Sequence, residues 1–274
     1  MSQSSKRSVL VTGCSQGSAG NALALQFAAQ GFRVFATARS LKTLSNLAEA
    51  GIEILTLDVT QPESIAAVKS QIASRTGGSL DILFNNAGAL YEAPAIEADA
   101  ARVRSLFSTN VFGLMEMVTA FTPLLLASVP SGHEPTIINV ASVLARLPSP
   151  FTSAYNATKA AVAAYSDTLR LEVQPLGIRS IYRDAEAAVK QRTVTHLEKT
   201  MPPEQFAREV VGEIVNGKRS FLWKGSNAFT VWLLNAVGPR TVFDSAMVKA
   251  AGLDNKQTKA SVFKQGQAAA GKMA

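Results

Sequence analysis

Residues 8–20 read SVLVTGCSQGSAG, and this stretch decides the fold. Its first four residues are an apolar run typical of a buried strand, and Thr12 and Gly13 predict a tight turn after it. Gly17 and Gly20 then lead into an alanine- and leucine-rich segment with helical spacing. Glycines at a strand-to-helix turn let the backbone approach a pyrophosphate, which the N-terminus of the helix stabilises. Because the strand and the helix are both predicted, we favour this interpretation over a plain loop.

Beyond this turn, predicted strands and helices alternate at the spacing of βαβ units. The predicted strands cover residues 8–11, 32–38, 52–57, 81–84, 136–140, 178–182 and 221–223. The predicted helices cover residues 20–30, 41–50, 62–75, 99–129, 153–173, 184–199 and 203–216. The segment 99–129 is either one long helix or two helices joined near Pro123. The alternation predicts an α/β fold of the Rossmann type, a doubly wound parallel sheet with helices on both faces.

The composition limits the class of protein. The chain has 274 residues, of which 47% are hydrophobic and 17% charged, and this is too apolar for a disordered chain. We expect one domain over residues 1–254 and a loosely ordered polar tail over residues 255–274. The single cysteine, Cys14, excludes an intramolecular disulfide, and the two histidines are too far apart in sequence to predict a metal site.

The net charge of +7 raises the question of a nucleic-acid partner. The basic residues are dispersed, and aromatic residues make up only 7% of the chain, so we expect no nucleic-acid binding. An anionic small molecule or a membrane surface explains the charge better. The first seven residues lack an apolar segment of the secretory type, and we therefore expect a cytoplasmic protein.

Two apolar segments raise the question of a membrane. Residues 111–129 are nearly long enough to span a bilayer, but they contain Glu116 and Pro123 and lie between predicted α/β elements. A buried helix is the better interpretation. Residues 228–237 (AFTVWLLNAV) are too short to span a bilayer, and their composition suits a peripheral membrane contact.

The second predicted strand ends in the run ATARS at residues 36–40. An acidic residue about 20 positions after the glycine turn would hold the adenosine ribose of NAD, and none is present in this run. Arg39 lies where a cation would meet a 2′-phosphate, although a solvent-facing arginine is the alternative. The missing acid and the cation together favour NADP(H) as the cofactor.

Tyr155 and Lys159 are four residues apart on a predicted helix, so their side chains lie on one face. A tyrosine hydroxyl with a pKa of about 10 is a poor acid–base catalyst near neutral pH, and an adjacent ammonium lowers that pKa. Such a pair alone is also common on helix surfaces. Ser142 follows the fifth predicted strand directly, at the carboxyl end of the sheet, where folds of this type bind ligands.

Together these motifs resemble the short-chain dehydrogenase/reductase family over residues 8–178. The matching positions are Thr12, Gly13, Gly17, Gly20, Asp58, Asn85, Asn86, Ala87, Gly88, Asn110, Ser142, Tyr155 and Lys159. The resemblance implies that Tyr155 donates a proton to a carbonyl, and that Lys159 tunes Tyr155 and holds the nicotinamide ribose. It also implies that Ser142 orients the carbonyl and that Asn110 supports a proton-relay water.

The resemblance further implies a cofactor site, with Asp58 and Val59 at the adenine and Asn86 on the adenosine side. The implied cofactor contacts are Val11, Gly13, Ser15, Gly17, Gly20, Thr37, Arg39, Asp58, Val59, Asn86, Gly88, Tyr155 and Lys159. We therefore expect an NADPH-dependent reductase of a ketone or aldehyde, with a small carbonyl or alcohol as substrate. The apolar faces of residues 99–129 and 153–173 exceed what one sheet covers, and such faces pair in this family, so we expect a homodimer.

Within the family, three short runs resemble fungal reductases of the 1-acyldihydroxyacetone-phosphate type: TGCS at 12–15, ATARS at 36–40 and WKG at 223–225. That subgroup includes enzymes of the endoplasmic reticulum and lipid droplets, and it has relatives in secondary metabolism. The resemblance therefore implies a role in lipid or secondary metabolism and an association with those membranes.

The chain departs from the family pattern at two places. The glycine turn is one residue longer than usual, and Ser18 stands where glycine is common, which still permits cofactor binding if its φ stays negative. After Ile178 the family continues through a full sixth strand, a Pro-Gly loop at the nicotinamide carboxamide, and a helix that covers the substrate. Here a polar segment follows Arg179, so we expect a truncated sixth strand and no lid.

A missing lid would expose the site of hydride transfer to water and loosen the cofactor. The sequence therefore leaves two alternatives to an active reductase. One is a cofactor-binding pseudoenzyme without turnover. The other is a membrane-surface interaction protein, which residues 228–237 and the positive charge suggest.

Overall fold

The computed structural model describes residues 6–185, 201–216, 221–224, 228–239, 241–261 and 264. Its strands are β1 (Ser8–Val11), β2 (Arg33–Ala38), β3 (Glu53–Thr56), β4 (Ile82–Asn85), β5 (Thr136–Val140), β6 (Arg179–Ala185) and β7 (Phe221–Lys224). They form one sheet of order β3-β2-β1-β4-β5-β6-β7, and every neighbouring pair is parallel. The strand order reverses between β1 and β4, which confirms the doubly wound fold.

The helices cover both faces of this sheet. They are α1 (Ala19–Ala29), α2 (Ser45–Glu49), α3 (Pro62–Thr76), α4 (Ala100–Phe107), α5 (Gly113–Ser128), α6 (Ser153–Val173), α7 (Pro203–Asn216), α8 (Ala228–Val237) and α9 (Asp244–Ala250). Local sequence explains their ends. In α3, Pro62 is in the first turn and Gly77 ends the helix in the left-handed conformation that glycine adopts without strain.

Alternate residues of the strands point to two separate cores, as the period of a strand requires. Val9 and Val11 belong to the core that α1 and α7 cover, where Phe27 is fully buried. Leu10 points the other way, into the core formed with α3, α5 and α6, where Phe121 is fully buried.

The predicted helix over residues 99–129 is two helices, but the join is not at Pro123. A wide π turn, Ser108–Phe112, connects α4 to α5, and Pro123 lies inside α5. By length and composition the run Ala100–Ser131 could cross a membrane. Half of the most apolar stretch of this run is buried in the structure. Met117 and Phe121 are fully buried in the core between the helix and the sheet, which confirms the prediction of a buried helix.

The expected truncation of the sixth strand is wrong. The strand β6 has seven residues, pairs with β5 over Arg179 to Arg183, and pairs with β7 over Tyr182 to Ala185. Its polar sequence misled the prediction, because a strand between two partners satisfies its backbone groups on both sides whatever its side chains are. The helix expected from Asp184 therefore does not begin there. The rest of that predicted helix, residues 186–199, lies outside the described residues, which stop at 185 and resume at 201. The predicted absence of a lid concerns the same residues.

The C-terminal helices pack against the loop that follows β5. Val143 forms a small apolar cluster with Val231 of α8 and Phe243, which immediately precedes α9. The predicted strand at 221–223 is confirmed as β7. The expected polar tail begins with a helical turn, in which the Lys259 amide donates to the Asn255 carbonyl, and residues 262–263 and 265–274 lie outside the described residues.

Candidate active site

The glycine turn after β1 forms an open cradle of backbone. Gly13 and Gly17 have φ angles of 73° and 79°, in the left-handed region that favours glycine. A Cβ on Gly20 would collide with the Gly13 carbonyl, so the start of α1 approaches the turn as closely as backbone allows. Ser18 keeps a φ of −88° and caps α1 by accepting a hydrogen bond from the Asn21 amide at 3.2 Å. The cradle therefore fits a pyrophosphate at the N-terminus of a helix.

Thr12 joins this turn to the loop after β4. Its hydroxyl accepts hydrogen bonds from the amides of Asn86 at 3.0 Å and Ala87 at 2.9 Å. The Asn86 side-chain amide donates to the carbonyls of Thr12 at 2.8 Å and Gly13 at 3.1 Å. The side-chain amide of Asn86 thus donates both of its hydrogens to the glycine turn, so Asn86 positions the cradle. The sequence predicted Thr12 only as part of the turn, and the signal for its side-chain role is a hydroxyl at the end of a strand beside the glycines.

Two predicted cofactor contacts lie beneath the turn. Val11 and Thr37 have no exposed surface, and the Thr37 hydroxyl donates to the Val11 carbonyl at 3.1 Å. The Thr37 carbonyl accepts from the Cys14 amide at 2.8 Å. Val11 and Thr37 therefore hold the turn through these hydrogen bonds, and their contact with a nucleotide stays a prediction. Ser15 is half-buried, with its hydroxyl 3.2 Å from the hydroxyl of Thr43.

The adenosine end of the predicted site lies where β2 and β3 stop. Arg39 is exposed, and within the part of the chain that the structure describes no carboxylate forms a salt bridge with it. Burial acts to raise the pKa of Asp58, but hydrogen bonds from Thr60 and the charge of Arg39 outweigh burial and hold that pKa below its usual value. An exposed guanidinium at this strand end fits a 2′-phosphate. Val59, at the predicted adenine position, is buried.

Ser142 and Tyr155 meet at the carboxyl end of the sheet. Ser142 is buried two residues after β5 ends, and its hydroxyl accepts from the Leu144 amide at 3.2 Å. Tyr155 lies in the first turn of α6, with its hydroxyl close to that of Ser142. Burial raises the pKa of Tyr155, and the interaction with the Ser142 hydroxyl acts in the opposite direction without cancelling that effect. This corrects the expectation that the pKa of Tyr155 is lowered.

Lys159 is buried one turn after Tyr155 on the same helix. Its ammonium donates a hydrogen bond at 2.8 Å to the carbonyl of Val140, which is the last residue of β5. The same ammonium lies 5.7 Å from the centre of the Tyr155 ring. The predicted catalytic residues Ser142, Tyr155 and Lys159 are therefore together, at the edge of the sheet that also carries the glycine cradle.

Asn110, the fourth predicted catalytic residue, is buried in the π turn before α5. Its amide oxygen accepts from the Ala89 amide at 2.7 Å, and its amide nitrogen donates to the Ala89 carbonyl at 2.9 Å and to the Thr158 hydroxyl at 3.0 Å. The side chain thus ties the loop after Gly88 to α6 beside Lys159. We assign it a positioning role.

A row of buried polar side chains behind the site was missed at the level of sequence. The Asn85 amide donates to the Asn139 oxygen at 3.0 Å, and the Asn139 amide donates to the Ser166 hydroxyl at 3.0 Å. Ser166 lies seven residues after Lys159, on the same face of α6. The row fixes the distance between α6 and the sheet. The signal that could have revealed it is one asparagine near the end of each of two neighbouring apolar strands, Asn85 in β4 and Asn139 in β5.

Phe151, in the loop before α6, adopts a φ of 66°, the sole positive value outside glycine among the described residues. A bulky side chain in this region is strained, and such residues cluster at binding sites. The Phe151 carbonyl accepts from the Ala93 amide at 2.8 Å, which links the loop after β4 to the loop before Tyr155. These two loops border the catalytic residues.

Comparisons with known proteins agree with this geometry. The family model described as short chain dehydrogenase matches residues 7–182. A relative from Schizosaccharomyces pombe, an NADPH-dependent 1-acyldihydroxyacetone phosphate reductase, is 45% identical over 171 residues, which are 62% of this chain and only 56% of that protein. A short-chain dehydrogenase from Penicillium ochrochloron is 34% identical over 276 residues, with 90% of this chain and 99% of that protein covered.

The fold has a solved counterpart in a short-chain dehydrogenase from Streptomyces avermitilis. The two superpose with a TM-score of 0.73 at 27% sequence identity, and the superposition covers 90% of this chain and 98% of the other. The similarity therefore extends beyond the residues that the family model matches.

Proposed function

The chain belongs to the short-chain dehydrogenase family, and on that premise we propose that it reduces a ketone or an aldehyde to an alcohol with NADPH. As a member of this family it is an oxidoreductase that acts on CH–OH and C=O groups. The observation that carries the proposal is the proximity of the Tyr155 and Ser142 hydroxyls beside the buried Lys159 ammonium.

The cofactor is assigned by the fit of the residues that would hold it. Gly13, Gly17 and Gly20 leave room for a pyrophosphate, and exposed Arg39 lies at the strand end where a 2′-phosphate would be bound. The S. pombe relative is NADPH-dependent by name, which supports the same choice. When bound, NADPH supplies the hydride that the carbonyl carbon receives.

The protein's residues handle the carbonyl oxygen. The Ser142 and Tyr155 hydroxyls both donate hydrogen bonds to that oxygen, where negative charge develops as the carbon accepts the hydride. Tyr155 then transfers its proton to the oxygen, so that one hydride and one proton convert the carbonyl into an alcohol. The raised pKa of Tyr155 keeps its proton in place at neutral pH. The Lys159 ammonium, held by the Val140 carbonyl, stabilises the phenolate that remains.

The substrate class is proposed from the named relative. Since that relative reduces 1-acyldihydroxyacetone phosphate, an acylated ketone is the first compound to test, followed by ketones of secondary metabolism. Single-turnover oxidation of NADPH with a panel of such ketones and aldehydes tests the proposal.

The Tyr155→Phe variant tests the mechanism. We expect it to lose turnover by a factor of about 10² or more while NADPH binding, followed by cofactor fluorescence, stays close to that of the wild type. Tyr165→Phe, on the same helix, is the matched control and should remain active. A Tyr155→Phe protein that turns over at the wild-type rate would refute the mechanism. NADPH binding without oxidation by any carbonyl would instead identify a pseudoenzyme.

A further inference from the structure

Asn21 and Asn46 form a reciprocal pair of side-chain amides between two helices. Asn21 lies in the first turn of α1, and Asn46 lies in α2, on the segment that begins with Arg39 at the end of β2. The Asn21 amide nitrogen donates to the Asn46 oxygen at 3.1 Å, and the Asn46 amide nitrogen donates to the Asn21 oxygen at 3.0 Å. Two hydrogen bonds in opposite directions fix both the distance and the orientation of the side chains that they join.

The pair is also joined to the glycine turn. The Asn21 amide nitrogen donates its other hydrogen to the Cys14 carbonyl at 3.0 Å. Because a carbonyl only accepts, the nitrogen of Asn21 must face Cys14, and this requirement also decides which atom of Asn46 faces each atom of Asn21. Asn21 is 6% exposed, so a rotation of its amide would leave buried donors unpaired. The pair therefore connects α2 rigidly to the turn that would hold the pyrophosphate.

Apolar contacts hold the rest of the segment that carries Arg39. Leu44 and Leu47 are fully buried in the core that α1 covers. Hydrophobic burial has no preferred direction, so it holds the segment against the core without fixing its position along α1. A further polar link lies closer to Arg39, where the Gln16 amide donates to the Thr43 carbonyl at 2.8 Å. The directional bonds therefore decide where this segment lies relative to the glycine turn.

We propose that Asn21 and Asn46 are positioning residues for the choice of cofactor. The pair sets the distance between the glycine cradle, which fits a pyrophosphate, and Arg39, which fits a 2′-phosphate. Both phosphate groups belong to one NADPH molecule, so an arginine on a segment that can shift loses part of its binding energy to its own ordering. NADH has a hydroxyl in place of the 2′-phosphate, and its binding does not depend on this distance. The inference rests on the proposed function through the cofactor alone.

Cofactor fluorescence titrations of the full chain test the proposal without a carbonyl substrate. Asn46→Ala should weaken NADPH binding about fivefold, the effect of one neutral hydrogen bond, and NADH binding by less than about twofold. A general loss of folded protein would weaken both equally, so the ratio of the two dissociation constants reports positioning. Ser45→Ala, an exposed neighbour on α2, is the matched control and should leave this ratio unchanged.

Two further variants separate the pair from other causes. Asn46→Leu keeps the volume of the side chain without its hydrogen bonds, and it should lose the same selectivity as Asn46→Ala. Arg39→Ala/Asn46→Ala should bind NADPH as Arg39→Ala does, because the position of the segment has no effect on a 2′-phosphate once the arginine is absent.

Three results would overturn the proposal: equal losses for both cofactors, unchanged selectivity in the Asn46 variants, or additive losses when Asn46→Ala is combined with Arg39→Ala. A wild type that binds NADPH and NADH equally well would overturn it too. A protein that shows the expected changes in selectivity but reduces no carbonyl would refute the proposed function alone.

Discussion

Arg39 is the residue on which the choice between NADPH and NADH depends. It is exposed at the end of β2, and an arginine there can form charge-assisted hydrogen bonds with a 2′-phosphate. We expect Arg39→Ala to weaken NADPH binding by about 1.5–3 kcal/mol and to leave NADH binding nearly unchanged. Titration of cofactor fluorescence measures both, with Arg104→Ala as an exposed arginine outside the site. Equal losses for the two cofactors would exclude a 2′-phosphate contact.

Cys14 makes the stability of the fold depend on pH. It is fully buried in the glycine turn, and burial raises the pKa of its thiol to about 12, although the Thr37 backbone acts in the opposite direction. A thiol in the unfolded chain ionises near pH 8.5, so the raised pKa stabilises the fold fully below that pH, and this contribution is lost as the pH rises toward 12.

We therefore expect the difference in the free energy of unfolding between wild type and Cys14→Ala to be independent of pH below about pH 8. Above that pH the wild type should lose about 1.4 kcal/mol per unit relative to the variant. Denaturant titrations from about pH 7 to about pH 10 measure the difference. A difference that stays constant over this range would show that the thiol ionises in the folded protein.

At the scale of elements, the contact between α5 and the loop after β3 depends on one glycine. A Cβ on Gly113, the first residue of α5, would lie 2.5 Å from the Val59 carbonyl oxygen, which is closer than side chains pack. We expect Gly113→Ala to cost about 1–3 kcal/mol of stability, because the helix and the loop must separate. Since this loop carries Asp58 and Val59, NADPH affinity should fall as well.

Gly212 in α7 is the matched control for this glycine. A Cβ there meets no atom of the described residues within 4 Å, so Gly212→Ala should stabilise the protein by about 0.5–1 kcal/mol and leave NADPH affinity unchanged. Thermal unfolding and cofactor titration of the two variants distinguish the local contact from a general effect of alanine in a helix. If both variants bind NADPH like the wild type, Gly113 does not position the adenine loop.

At the scale of the whole molecule, the outer faces of α5 and α6 and the turn before α5 carry exposed apolar side chains. Phe112, Leu126 and Leu171 are 54%, 38% and 59% exposed, next to helix faces already packed on the sheet. We predict a homodimer formed through these faces. Light scattering at micromolar concentration should give twice the mass of one chain. The Leu126→Glu variant should have the mass of one chain, whereas the control Leu25→Glu, on α1, should keep the mass of two. A monomeric wild type would contradict the prediction.

The sequence by itself determined the doubly wound fold, the glycine turn and the grouping of Ser142, Tyr155 and Lys159 at one edge of the sheet. These predictions succeeded because they depend on local rules: hydrophobic periodicity, glycine at positive φ, and the one-turn spacing of side chains on a helix. The position of the site also followed from sequence, because parallel strands must end at the same edge of the sheet.

Tertiary structure alone decided the length of β6, the pKa of Tyr155 and the contacts that hold the glycine turn. Strand β6 exists in full because β5 and β7 pair with it on either side, and no pattern within Arg179–Ala185 reports those partners. The pKa of Tyr155 rises because burial, a property of the packed site, outweighs its interaction with the Ser142 hydroxyl. Asn86 and Thr37 hold the cradle because residues distant in sequence meet at the ends of neighbouring strands. Contacts between distant segments depend on how the chain packs, and local sequence does not encode them.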